Sequence, residues 1–165
     1  MKEIFTRRSI RQFNDKIVSD EIIIKALDAG MNAPSARAQR PWKFIVIKDK
    51  NIMNLLSTTS TGAKPCANAN FVICTLMRKN DLLSPAYVEH DMGACTQNIM
   101  LELAHHNVGS VWIGGYPMER YLGVMKILDI EEGYVPFSLI ACGYPKDDDA
   151  FKELNNFDIS RIRWM

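Results

Sequence analysis

The sequence predicts a domain of helices and strands in which one sheet is covered on both faces by helices. Two observations carry this. Apolar residues recur at helical spacing in several separate stretches, and about four short runs rich in branched and aromatic residues lie between them. At 165 residues, with 47% hydrophobic and 24% charged residues, the chain has the length and balance of one globular domain over 1–165, not of a disordered polymer. Twenty basic residues against nineteen acidic ones leave a net charge of +1, which excludes the broad basic surface that duplex nucleic acid requires. No apolar run approaches the roughly 20 residues that span a bilayer, and the start Met1-Lys2-Glu3-Ile4-Phe5-Thr6-Arg7-Arg8 lacks signal-peptide character. The expectation is a cytoplasmic protein with no membrane or nucleic-acid partner.

Taken in order, Ser19-Asp20-Glu21 opens the first clear helix. Ser19 is the cap, the acids complement the positive end of the helix dipole, and Ile22, Ile23, Ala26, Leu27 and Ala29 follow until Gly30 and Pro34 stop it. Trp42–Lys48 is short, branched and aromatic, and reads as a strand. Asp49 then caps a helix bearing Ile52, Met53, Leu55 and Leu56, and Phe71–Leu76 is a second strand. Pro85 opens a long helix reaching about Asn107, with Val88, Met92, Cys95, Ile99 and Leu103 in one stripe. Ala94, Met100, Leu101 and Ala104 widen that stripe, so the helix is either central to the fold or shared with a partner subunit. Ser110–Ile113 reads as a strand closed by Gly114-Gly115, Pro117–Leu128 as a helix, and Val135–Cys142 as a buried strand. The charge block Lys146-Asp147-Asp148-Asp149 marks a loop before a C-terminal arm of about 150–165. The last segment, Phe157–Met165, reads as an alternating terminal strand that needs an edge, either of its own sheet or of another subunit's.

Cys66, Cys74, Cys95 and Cys142 show no C-x-x-C spacing and read as buried small hydrophobes in a reducing compartment. His90, His105 and His106 have no ligand spacing, so no metal site is expected.

Three stretches suggest chemistry. Arg7-Arg8-Ser9-Ile10-Arg11 concentrates three guanidinium groups and a hydroxyl in a chain of nearly zero net charge, a pattern suited to a phosphate. Ala33-Pro34-Ser35-Ala36, followed by Pro41-Trp42, allows a ligand close to the backbone. Gly109–Pro117 ends a strand in paired glycines that expose N–H groups, yet it is neither a P-loop nor a G-x-G-x-x-G turn. A ligand with a phosphate, a flat portion and polar edges satisfies all three, and flavin mononucleotide (FMN) is such a molecule.

R-R-S-I-R, A-P-S-A with P-W, the long helix with Asp91, Gln97 and Asn98, G-S-V-W-I-G-G, and F-D-x-S-R-I together resemble the nitroreductase family of FMN-dependent oxidoreductases, over essentially the whole chain. The resemblance implies an α+β three-layer fold with a central mixed sheet of four to five strands flanked by helices. It also implies an obligate-type homodimer with exchanged C-terminal arms and two interface sites. Arg7 and Ser9, with Arg8 beside them, would hold the FMN phosphate, and Arg11 would lie near N1 and the C2 carbonyl. Pro34, Ser35 and Ala36 would line the ring and ribityl chain. Gly114 and Gly115 would offer N–H groups to N5 and the C4 carbonyl, with Ile113 against the ring face.

The chain also departs from the family pattern. Ala38 and Arg40 stand where it has asparagine and glutamine, so Arg40 would replace lost bonds to the pyrimidine edge. Asn156 stands where a basic residue commonly precedes F-D, with Lys152 as a substitute, and little chain separates Leu76 from Pro85 to cover the site. The implied reaction passes hydride from NAD(P)H through flavin N5 to a small organic acceptor such as a nitroaromatic or quinone, with no catalytic side chain. Alternatives are a flavin-dependent dehalogenase or dehydrogenase of the same fold, or a non-catalytic FMN-binding module.

Overall fold

The computed structural model describes residues 1–116, 119, 121–147 and 149–165. In chain order the elements are α1 (Glu3–Thr6), α2 (Asp20–Met31), β1 (Trp42–Ile47), α3 (Lys50–Ser57), β2 (Phe71–Arg78), α4 (Val88–His105), β3 (Gly109–Gly114), α5 (Tyr121–Leu128) and β4 (Tyr134–Gly143). Short 3-10 turns occupy Ala36–Ala38, Thr61–Asn68, Pro85–Tyr87 and Ile159–Arg161. Pro117, where the sequence starts a helix, and Asp148 of the charge block lie outside the described residues.

Among the described residues the sheet has four strands in the order β1-β2-β4-β3. Every ladder is antiparallel, which corrects the expected mixed sheet. The parallel contact that is described is a single bridge, Ser9 to Ser110, outside the named strands. Alternation of helices and strands along a sequence does not distinguish a parallel crossover from an antiparallel return; only the pairing does.

The two central strands carry the continuous apolar runs. Phe71–Met77 of β2 and Val135–Gly143 of β4 are buried throughout, as strands covered on both faces must be. Alternation sends Val72, Cys74, Leu76, Leu139 and Ala141 to a layer with Met53 and Leu56 of α3 and Val124 of α5. Phe71, Ile73, Ile140 and Cys142 face the opposite layer, with Ile23 and Ala26 of α2 and Cys95, Ile99 and Leu103 of α4. The predicted stripe of the long helix is therefore its sheet-facing side, although the α-helix proper begins at Val88, after the 3-10 turn at Pro85–Tyr87.

Asp49 caps α3 as expected, accepting from the Asn51 and Ile52 N–H groups at 2.8 and 3.0 Å. Ser19 occupies the N-cap position of α2 in an extended conformation, but its side chain makes no cap bond, so the acids Asp20 and Glu21 alone complement that end. Gly30 does not stop α2; it lies inside the helix, where a Cβ would come within 2.6 Å of Ile99 Cγ1 and 3.2 Å of Cys95 Sγ. It is there to let α2 and α4 approach. The terminal segment forms no strand in the chain. The step of three from Ile159 to Ile162 breaks a period of two, and a 3-10 turn at Ile159–Arg161 is capped instead by Asp158, which accepts from Ser160 N–H at 3.0 Å.

No helix among the described residues is long and apolar enough to cross a membrane, and no described group of three or more His, Cys, Asp or Glu could hold a metal ion. All four cysteines are free and buried. Burial pushes the Cys66 and Cys95 thiols up to about 12, and pushes those of Cys74 and Cys142 well up from the usual range too.

Two outcomes follow from this packing. Gly30→Ala gains about 1 kcal/mol of helix propensity, but the overlap with Ile99 costs about 1–3 kcal/mol and should dominate. Thermal unfolding should show a melting temperature roughly 2–6 °C lower; an unchanged or raised value would mean that the helices separate freely. Titration of the native protein with a thiol-specific reagent at pH 8 should label no cysteine until denaturant is added, because so little thiolate is present.

Candidate functional site

The basic segment follows directly on α1. The Arg7 N–H closes that helix on Glu3 O at 2.8 Å, and Ser9 then bridges to Ser110 of β3, with Ile10 N–H donating to Ser110 O at 3.0 Å. Gly109 makes this docking feasible: a Cβ there would lie 2.8 Å from Ile10 Cβ. A local fold thus lays the arginines beside the outer strand of the sheet.

Their polar groups are incompletely used. Arg8 Nη1 donates to Arg7 O and Phe5 O at 2.8 and 3.1 Å, while Arg8 Nη2 is buried without a partner. Arg11 Nη1 donates to Ser9 O at 3.2 Å. Burial, and secondarily the charge of Arg8, pull the Arg7 guanidinium below its usual range. Among the described residues no carboxylate forms an ion pair with Arg7, Arg8 or Arg11. Arg8, Ser9 and Arg11 open into a cleft of 680 Å³ whose far wall carries Lys146 and Lys152 together with Asp147 and Asp149. Asp149 is engaged by Lys152 at 3.2 Å. Arg7 instead faces an adjoining hollow of 460 Å³ with Phe5 and residues 153–157, so the three arginines do not line one cavity.

The glycine pair lies at the far end of β3. In register, Gly114 stands opposite Ser138, and the Gly115 and Tyr116 N–H groups both donate to Phe137 O, at 3.0 and 3.2 Å. The Gly115 N–H is therefore committed inside the sheet. The same bond makes Gly114–Ser138 a non-hydrogen-bonded pair, so the Gly114 N–H points away from β4, as do the polar groups of Trp112 and Ser110. Because β3 is an edge, these groups face out of the sheet. Ser110 and Gly114 are about 13 Å apart along the strand. Ile113 is buried among Val124 and Leu139 in the core below.

The third stretch is elsewhere. Pro34, Ser35 and Ala36 border a hollow of 290 Å³ with Tyr87, His90 and Asp91, and share no cavity with the arginines or with Gly114 inside one chain. Ser35 Oγ accepts from Arg40 N–H at 3.1 Å, and Arg40 is exposed. Two residues that the sequence does not mark as ligand-binding organise this loop: Gln39, which is buried, and Asp91, whose carboxylate accepts from Ala36 N–H at 2.9 Å. The only signal for Gln39 is a glutamine one position before the place where the family pattern carries one.

Comparison with known proteins gives a consistent result. The model of the Nitroreductase family matches residues 4–65 and 62–144. A protein of Archaeoglobus fulgidus, provisionally named NADH dehydrogenase/NAD(P)H nitroreductase, is 40% identical over 98% of this chain and 95% of its own. The crystal structure of a protein from Clostridium acetobutylicum, provisionally named NADH oxidase, superposes with a TM-score of 0.93 at 36% identity, over 98% and 97% of the two chains. An FMN-dependent nitroreductase from Clostridium difficile superposes with a TM-score of 0.85 at 27% identity, over 96% and 94%.

Proposed function

The chain belongs to the nitroreductase family, and we propose that it works as an FMN-dependent oxidoreductase of one domain, 1–165, that takes electrons from NAD(P)H. The observation that carries this reading is the run of arginines laid along an open strand edge that ends in an outward N–H at Gly114. A buried guanidinium nitrogen of Arg8 without an acceptor, and three arginines without carboxylate partners among the described residues, fit a phosphate. Arg8 and Ser9 would hold it in the 680 Å³ cleft, which Lys146 and Lys152 also line, with Arg7 in the adjoining hollow and Arg11 left for N1 and the C2 carbonyl of the ring. The outward Gly114 N–H suits an acceptor atom on the polar edge of a flat ring; the Gly115 N–H does not, being engaged by Phe137 O. FMN held there would supply hydride chemistry between NAD(P)H and a small organic acceptor. The protein's part is binding and orientation: guanidinium groups neutralise the anion, and the Arg11 charge favours the reduced ring.

The functional unit is a homodimer in this reading. The arm from Leu154 onward is exposed, including Phe157 at 73% and Trp164 at 84%, and among the described residues its backbone tie to the body is one bond, Leu154 N–H to Phe5 O. The unpaired groups of Trp112 on the edge of β3 would accept such an arm from a second copy, leaving the Gly114 N–H to the ring. The same copy would bring its Pro34–Ala36 loop to the arginines, which one chain alone keeps apart.

Purified protein should bind FMN, turn yellow, and bleach when NADH or NADPH is added without oxygen. A colourless protein that takes up no FMN would defeat the proposal, and a bound flavin that neither nucleotide bleaches would favour a non-catalytic module. Arg8→Ala and Arg11→Ala should each weaken FMN binding about tenfold to a hundredfold, the size of a lost charge-assisted hydrogen bond. Arg11→Ala should also lower the flavin reduction potential. Removing residues 157–165 should shift the sedimentation profile at low concentration toward monomer; an unchanged profile would remove the arm from the dimer contact.

A further inference from the structure

We propose that Gln39 is a positioning residue whose buried side-chain amide locks the Pro34–Arg40 loop to α4 and to the 79–87 segment, so that this loop meets the flavin in a fixed shape. The inference rests on the flavin reading for the identity of the ligand, but not for the clasp itself.

Gln39 is 6% exposed, whereas its neighbours Arg37, Ala38 and Arg40 are all exposed. Those three neighbours have left-handed backbones, with φ of 52°, 53° and 43°, a conformation that residues with a Cβ adopt only when something holds them there. What holds them is the side chain they turn inward. Gln39 Nε2 donates to Asp91 Oδ2 at 2.6 Å and to Ser84 O at 3.2 Å, and Gln39 Oε1 accepts from Ser84 N–H at 3.0 Å. Asp91, 5% exposed, also accepts from Ala36 N–H, so one carboxylate grips both ends of the turn. Gln39 O accepts from Arg78 Nη2 at 3.0 Å, and Gln39 N–H closes the turn on Ala36 O at 3.1 Å.

An amide is the group this position needs. It donates to a carboxylate and a carbonyl, and accepts an N–H, which neither a carboxylate nor an ammonium group does. Two segments are joined as a result: the loop carrying Pro34, Ser35 and Ala36, and the segment that reaches Tyr87 at the rim of the same hollow. The charged groups near the clasp are Asp91 of α4, Arg78 at the end of β2, and His90 in the adjoining hollow.

Gln39→Glu sets two carboxylates against each other and removes both donors. At pH 8 this variant should bind FMN at least tenfold more weakly than the parent. The variant's deficit relative to the parent should close as the pH falls toward 5, because a proton shared between the acids restores a donor. Adding Asp91→Asn should restore binding at pH 8 by supplying the missing donor. Binding by Gln39→Glu within twofold of the parent at pH 8, or a deficit relative to the parent that does not close at pH 5, would overturn the proposal. If that variant does not fold, amide hydrogen exchange of the unaltered protein decides: Ser84 and Ala36 N–H should be protected, and exchange as fast as that of exposed loop amides would overturn it. Failure of the unaltered protein to bind FMN would defeat the flavin reading, and this exchange measurement would still decide the clasp.

Discussion

The register of β3 on β4 is the constraint from which the rest of the site follows. Pairing Gly114 with Ser138 turns the polar groups of Ser110, Trp112 and Gly114 outward and commits those of the residues between them to β4. A slip of one residue would exchange the two sets, bury the outward groups, and expose Val111 and Ile113, which now sit in the core. The same register presents Ser110 O to the incoming Ile10 N–H, so the arginine segment is fastened by the geometry that opens the edge. The arginine segment and the outward Gly114 N–H are thus set out along a single strand.

Elsewhere the interior spends its polar groups on itself. Thr75 and Ser138, both buried, bond hydroxyl to hydroxyl at 2.8 Å beside the register shift between Thr75 and Leu76. Thr96 returns its hydroxyl to Met92 O at 2.8 Å within α4. Against that background, buried polar atoms without partners stand out, because burial without a bond costs about 1–3 kcal/mol. Arg8 Nη2 and Ser110 Oγ are two of them, and they belong to residues flanking or forming the Ser9–Ser110 bridge. The other two described, Ser60 Oγ and Arg78 Nε, lie apart from that bridge.

The comparison of α2 with the C-terminal arm illustrates what limits a reading from sequence. Both look regular, but α2 finds α4 across Gly30, whereas the arm has no such partner among the described residues. The alternation of Phe157 and Ile159 describes a surface seeking cover, and cover is a property of an assembly. The same holds for Pro34–Ala36, whose composition suits a close ligand while its position in one chain lies away from the arginines.

Residue types and their spacing were enough to determine that Val135–Cys142 is a buried strand, that Cys95, Ile99 and Leu103 point one way, that Asp49 caps a helix, and that Arg7–Arg11 concentrates charge suited to an anion. Those properties are local: periodicity, a cap three residues long, charges adjacent in sequence. Only the tertiary structure decided that every ladder is antiparallel, that Gly114 rather than Gly115 has an N–H to offer, and that Gln39 turns inward to Asp91. Each of these depends on a hydrogen bond between residues far apart in the chain, and the identity of a residue does not carry the direction of such a bond.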